Sequence, residues 1–149
     1  MIVVVDASVA IKWFLHGNPD EQHSDLALRL LEQSALGLLP MVQPGHFVAE
    51  VAAVLARLKP ADAQEDLFDL LDIRYRTLVS PETYATALDL AMRYQHHLFD
   101  TLYHAVALHT PGAVLITADE RYYKKARPEG QIALLVDADA KLTHRGDIQ

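Results

Sequence analysis

The chain has 149 residues, no cysteine, 51% hydrophobic residues, and 13 basic against 20 acidic side chains for a net charge of −7. That length suits one domain with a sizeable core, and the apolar share excludes a disordered chain. The missing cysteines exclude disulfides and zinc–thiolate sites, and the acidic balance argues against a nucleic-acid binder that works through bulk positive charge. An enzyme that neutralises phosphate with a bound metal stays open.

The start, "MIVVVD", has no basic region ahead of its short apolar run, so it does not read as a signal peptide. No apolar run approaches the roughly 20 residues of a membrane span. The expectation is a cytoplasmic protein.

In chain order, "IVVV" (2–5) is a β-branched run without alternation, the pattern of a strand buried on both faces. "SDLALRLLEQSA" (24–35) has helical spacing. "LLPMV" (38–42) is a weaker strand. "HFVAEVAAVLARL" (46–58) puts Phe47, Val51, Val54, Leu55 and Leu58 on one helical stripe. "ADAQEDLFDLLDIR" (61–74) predicts an acidic amphipathic helix and "TLVS" (77–80) a weak strand. "PETYATALDLAMRYQ" (81–95) predicts a helix with Pro81 in its first turn. "LFDTLYHAVALHT" (98–110) is a helix apolar almost all round. "AVLIT" (113–117) and "IALLV" (132–136) are two more buried strands, and Asp119 precedes a further helix. Strands alternating with helices predict right-handed βαβ units. The expected fold class is α/β: a three-layer α/β/α sandwich around a central, mainly parallel five-stranded sheet. No repeat or linker divides residues 1–149, so one domain covers them.

The carboxylates fall at telling places. Asp6 follows the first strand directly, and Asp119 comes two residues after "AVLIT". Ligands of an open parallel sheet bind beyond the carboxyl ends of its strands. Both acids also precede helices, where aspartate is a favoured N-cap, and the two roles are compatible. Glu50 lies at the edge of the Phe47–Val51–Val54 stripe, either half buried or reaching solvent. Asp100 belongs to a narrow polar strip with Thr101 and His104 on an otherwise apolar helix. It is either a cap or a delivered carboxylate. Four converging carboxylates repel one another, and a cation relieves them. Magnesium and manganese accept such hard oxygen ligands together with water and phosphate. The pattern therefore points to phosphoryl chemistry at a metal.

Four segments, "VVVDASVAIKWF", "HFVAEVAAVLAR", "LFDTLYHAVAL" and "LITADERYYKKA", stand in this order over residues 1–127. Together they resemble the PIN-domain ribonucleases, specifically the VapC-type toxins of type II toxin–antitoxin pairs. The resemblance implies a Mg2+- or Mn2+-dependent endoribonuclease that hydrolyses phosphodiesters of tRNA or rRNA with a metal-activated water. It assigns the catalytic, metal-binding acids to Asp6, Glu50, Asp100 and Asp119, with Ser8 and Thr117 as supporting hydroxyls. It implies a small cognate antitoxin and a homodimer as partners. An acidic protein meets RNA through local charge, so Lys12, Arg121, Lys124 and Lys125 are the candidate RNA-binding residues; the last three also read as a solvated helix face. "AIKWFL" (10–15) reads as exposed, with Trp13 and Phe14 either serving an interface or packing in the core. His104 reads as a packed histidine, His96 and His97 as a helix-end loop, and Asp137 is left out of the site. The alternatives are a PIN-like protein that binds RNA or a partner without turnover, and a haloacid-dehalogenase-like phosphatase. The phosphatase wants D-x-D after its first strand, where this chain has "DAS". A receiver domain wants an aspartate closing the middle strand, and "TLVSP" has none.

Overall fold

The structure, a computed structural model, describes residues 1–138; the end of the domain expected over 1–149 lies outside the described residues. Its strands are β1 (Ile2–Val5), β2 (Val42–Gln43), β3 (Arg76–Thr77), β4 (Ala113–Thr117) and β5 (Ile132–Leu134). Its helices are α1 (Ala7–Ala10), α2 (Ser24–Ala35), α3 (Phe47–Leu58), α4 (Ala63–Leu71), α5 (Pro81–Tyr94), α6 (Leu98–Leu108) and α7 (Glu120–Ala126). Three strands pair in the order β1-β4-β5 and two as β2-β3, every pairing parallel. A parallel bridge from Val3 to Met41 joins the two sets. The fold is the expected α/β sandwich on a parallel sheet.

The weaker strands are shorter than their apolar runs. "LLPMV" contributes Met41 and Val42, because Pro40 has no N–H to offer a ladder. "TLVS" contributes only Thr77, because Ser80 turns to cap α5. There the Ser80 hydroxyl accepts from Thr83 N, the Thr83 hydroxyl accepts from Ser80 N, and Pro81 takes the first turn.

Burial follows composition most closely in the centre. Val3, Val4 and Val5 are fully buried, as the unalternating run requires. α6 packs against β1, β2 and β4, and α5 covers α6. The few polar groups of α6 are satisfied inside the protein. Thr101 Oγ1 donates to Ala87 O (2.8 Å), and both ring nitrogens of His104 are engaged, with the Tyr122 hydroxyl (2.7 Å) and Gly130 O (2.8 Å). Burial lowers the His104 pKa, so this histidine is a neutral core residue.

"AIKWFL" is corrected: Ala10, Ile11, Trp13 and Leu15 are buried, so the stretch is core and not an exposed patch. Trp13 donates its indole N–H to Ala27 O (2.9 Å) and meets Phe47 edge-on.

Gln43 carries a structural task that its residue type hides. Its fully buried amide accepts from Val5 N (2.9 Å) and donates to Val5 O (2.7 Å). One side chain thus takes the place of a neighbouring strand at the end of β1, next to Asp6.

Candidate active site

Val5 and Ile116 are paired in register, so the carboxyl ends of β1 and β4 emerge side by side. Asp6 leaves β1 there and caps α1: Oδ1 accepts from Ser8 N (3.0 Å), Val9 N (3.3 Å) and the Ser8 hydroxyl. Its other oxygen accepts from the Thr117 hydroxyl. Ser8 Oγ in turn accepts from Ala118 N (3.0 Å), and Thr117 Oγ1 accepts from Asp119 N (3.0 Å). Two hydroxyls therefore tie the two strand ends together. Asp119 caps α7 with Oδ1, which accepts from Tyr122 N (3.0 Å), while its Oδ2 points at His96.

The other two acids arrive on helices. Glu50 sits in the first turn of α3 and Asp100 in the first turn of α6. Asp100 is not the cap of its helix. The cap is His97, whose Nδ1 accepts from Phe99 N. Asp100 is free to face the crevice, with its side chain 39% exposed.

Electrostatics ties the four together. Burial, and then the charges of Glu50 and Asp119, raise the Asp100 pKa, and His96 partly offsets them. Burial pushes the Asp6 carboxyl up to about 6 against the pull of its hydroxyl partners, and the charge of Asp100 adds to the rise. The Tyr103 hydroxyl is raised too, by burial first and then by Glu50, Asp6 and Asp100.

Two histidines join the cluster. His46 Nε2 lies 3.0 Å from Glu50 Oε2 but spends its N–H on Phe99 O (2.8 Å). Glu50 Oε2 is buried with no hydrogen bond among the described residues. His96 Nε2 lies 3.1 Å from Asp100 Oδ2 and 3.6 Å from Asp119 Oδ2. Each histidine stands four residues before its acid, so the spacing was a visible signal whose meaning the sequence did not carry.

The basic candidates divide. Arg121 and Lys124 are exposed on α7. Lys125 is half buried, with Nζ 3.4 Å from His96 Nδ1. Lys12 is buried and held by Glu21 (2.6 Å) and Gln22 O (2.7 Å). Asp137 is exposed.

The arrangement fits a divalent cation. It offers oxygens from separate elements, a buried Glu50 oxygen that accepts no hydrogen bond among the described residues, and a His96–Asp100–Asp119 group whose ligand atoms lie within 4.8 Å of one another. A model of the PIN domain matches residues 3–128. The chain belongs to the PIN-domain family.

This PIN domain shares its fold with several solved structures. PAE2754 from Pyrobaculum aerophilum is 20% identical with a TM-score of 0.62, over 97% of this chain and 96% of that one. VapBC2 from Rickettsia felis, solved bound to a DNA fragment from its promoter, is 15% identical with a TM-score of 0.63, over 90% and 98%. VapC20 of Mycobacterium tuberculosis, a sarcin–ricin-loop cleaving toxin, is 19% identical with a TM-score of 0.54, over 70% and 79%. At these identities the likeness is one of fold. No curated protein sequence matches the chain.

Proposed function

We propose that the protein is a VapC-type toxin: an endoribonuclease that hydrolyses RNA phosphodiesters, of the tRNA or rRNA class, with Mg2+ or Mn2+. The observation that carries this reading is the convergence of Asp6 and Asp119, at adjacent strand ends, with Glu50 and Asp100, in the first turns of their helices. Membership of the PIN family supports it, as does a fold shared with solved VapC structures.

Asp6, Glu50, Asp100 and Asp119 would hold the cation between them. When bound, the cation supplies charge neutralisation at the scissile phosphate and a more acidic water. The protein's own part is to fix the acids. Ser8 and Thr117 hold the Asp6 carboxylate through their hydroxyls, and the packed body of α6 fixes the position of Asp100. Arg121 and Lys124 on α7 offer positive charge to flanking phosphates without offsetting the acids from within.

The same reading proposes a small antitoxin as partner, a homodimer as the assembly, and the cytoplasm as the compartment. No helix among the described residues is long and apolar enough to cross a membrane. The test is cleavage of structured RNA by purified protein in Mg2+ or Mn2+, with EDTA and Asp100→Asn as controls. Cleavage that survives both overturns the metal mechanism. RNA binding without cleavage under every metal condition leaves the non-catalytic PIN-like reading in its place.

A further inference from the structure

His96 stands on the loop between α5 and α6, within reach of two of the four acids. We propose that His96 is a nitrogen ligand of the divalent cation, acting with Asp100 and Asp119, and that it biases the site toward Mn2+ over Mg2+. This inference rests on the reading of the acidic crevice as a metal centre.

The imidazole is set in place by packing and not by the acids alone. Gln95 ends α5 in the left-handed region, at φ 49°, and His96 N donates back to Ala91 O (3.1 Å). That turn folds the His96 side chain inward, where only 10% of it is exposed. Its ring lies on Tyr122, with centroids 4.8 Å apart. Nε2 then faces both carboxylates, 3.1 Å from Asp100 Oδ2 and 3.6 Å from Asp119 Oδ2. Donors at about 2.1 Å around an octahedral ion stand about 3 Å apart along each edge of the octahedron. Both gaps approach that edge length, and the three ligand atoms already lie within 4.8 Å of one another.

The tautomer must change on binding. Lys125 Nζ lies 3.4 Å from Nδ1, and an ammonium has only donors. Without the cation, Nδ1 therefore accepts and Nε2 carries the ring proton toward the carboxylates. A cation held by Nε2 would need the lone pair of that nitrogen, so the ring proton would have to sit on Nδ1, the side that faces Lys125.

The metal preference follows from donor chemistry. Mg2+ takes one or two carboxylates, keeps several waters and gains little from nitrogen. Imidazole suits the later transition ions best and Mn2+ shares the oxygen preference of Mg2+, but as a d-block ion Mn2+ accepts one nitrogen beside its oxygens more readily than Mg2+ does. Removing His96 should therefore cost Mn2+ more than Mg2+.

The decisive measurement is pulsed EPR on the wild-type chain loaded with Mn2+, read for coupling to an imidazole 14N nucleus, beside calorimetric titration of EDTA-stripped wild type, His96→Ala and His96→Gln with MnCl2 and with MgCl2. The expected result is 14N coupling in the wild type and none in either variant. Mn2+ affinity should fall at least about tenfold in the variants, the lower end of what even an outer partner costs. Mg2+ affinity should fall much less. Mn2+ binding without 14N coupling overturns the role of His96 and leaves it an ion-pair partner only. Equal losses for both ions overturn the preference. Failure of the wild type to bind Mn2+ at all overturns the metal reading itself. The spectrum is read on the unmutated protein, so a variant that fails to fold does not decide the outcome.

Discussion

Replacing Asp6 by Asn tests the acidic site through stability. Burial raises the Asp6 carboxyl from its ordinary 3.8 to about 6 in the folded chain, where only 8% of the residue is exposed. At 1.36 kcal/mol per unit, that rise of about two units is worth about 3 kcal/mol. The sign follows from proton binding. Below pH 3.8 both states hold the proton and the full contribution is present; it is lost as pH rises through about 6, because the fold must then keep a buried carboxylate. Metal-free wild type should therefore lose up to about 3 kcal/mol between pH 4 and pH 7 from this group alone. Asp6→Asn keeps the shape and an acceptor for Ser8 N and Val9 N, and never bears the ionisation cost. In EDTA at pH 8 the variant should melt higher, with a ceiling of roughly 6–12 °C for a domain of this size. At pH 4 the advantage should vanish. Manganese at about 100 times its dissociation constant should give the wild type back about 2.7 kcal/mol, and the variant much less. The assay is thermal melting at both pH values, with EDTA and with manganese. If the variant melts lower at pH 8 in EDTA by the same margin as at pH 4, Asp6 is a plain helix cap whose buried charge does not weaken the fold.

Asp100→Asn should also raise the metal-free melting temperature, since burial and the charges of Glu50 and Asp119 oppose its ionised form. A lower melt in EDTA would assign Asp100 to the helix dipole instead, which is worth about 0.3–1 kcal/mol there. Gln43→Leu strips the buried Val5 N–H and C=O of their partners, so urea unfolding should register a loss of about 2–4 kcal/mol. A loss under about 1 kcal/mol would mean that water or a shifted strand replaces the amide. On a cleavage-deficient Asp100→Asn background, Arg121→Ala with Lys124→Ala should flatten the salt dependence of RNA binding, by about 0.7 in log–log slope for each phosphate that the protein no longer neutralises. An unchanged slope makes α7 a solvated face with no RNA role.

Much of the fold was legible because it rests on local pattern. A run such as Ile2–Val5 has no polar face to offer solvent, so it can only be a covered strand, and it is. Pro81 behind Ser80 marks a helix start through its own backbone chemistry. The shorter strands were less legible. Their ends depend on which neighbour supplies hydrogen bonds, and Gln43 supplies them from a side chain that no strand pattern contains. Trp13 stayed open between interface and core for a similar reason: only the fold brings α2 alongside, with the Ala27 carbonyl that takes its N–H.

The site divides along the same line. Asp6 and Asp119 were visible as acids at strand ends, and pattern alone suggested that Glu50 and Asp100 could face inward. By itself the sequence determined which groups exist, on which elements they ride, and that four carboxylates need a counter-charge if they meet. Only the tertiary structure decided that they meet, because convergence depends on the parallel pairing of β1 with β4, more than a hundred residues apart in the chain. It also separated the lysines, turning Lys12 into an internal ion pair and leaving Lys124 exposed. And it brought in His46 and His96, whose four-residue spacing from Glu50 and Asp100 acquires meaning only when the start of a helix folds each ring onto its acid. Charge and hydrogen bonding act through space over a few ångströms, and a sequence orders residues along a chain without stating those distances.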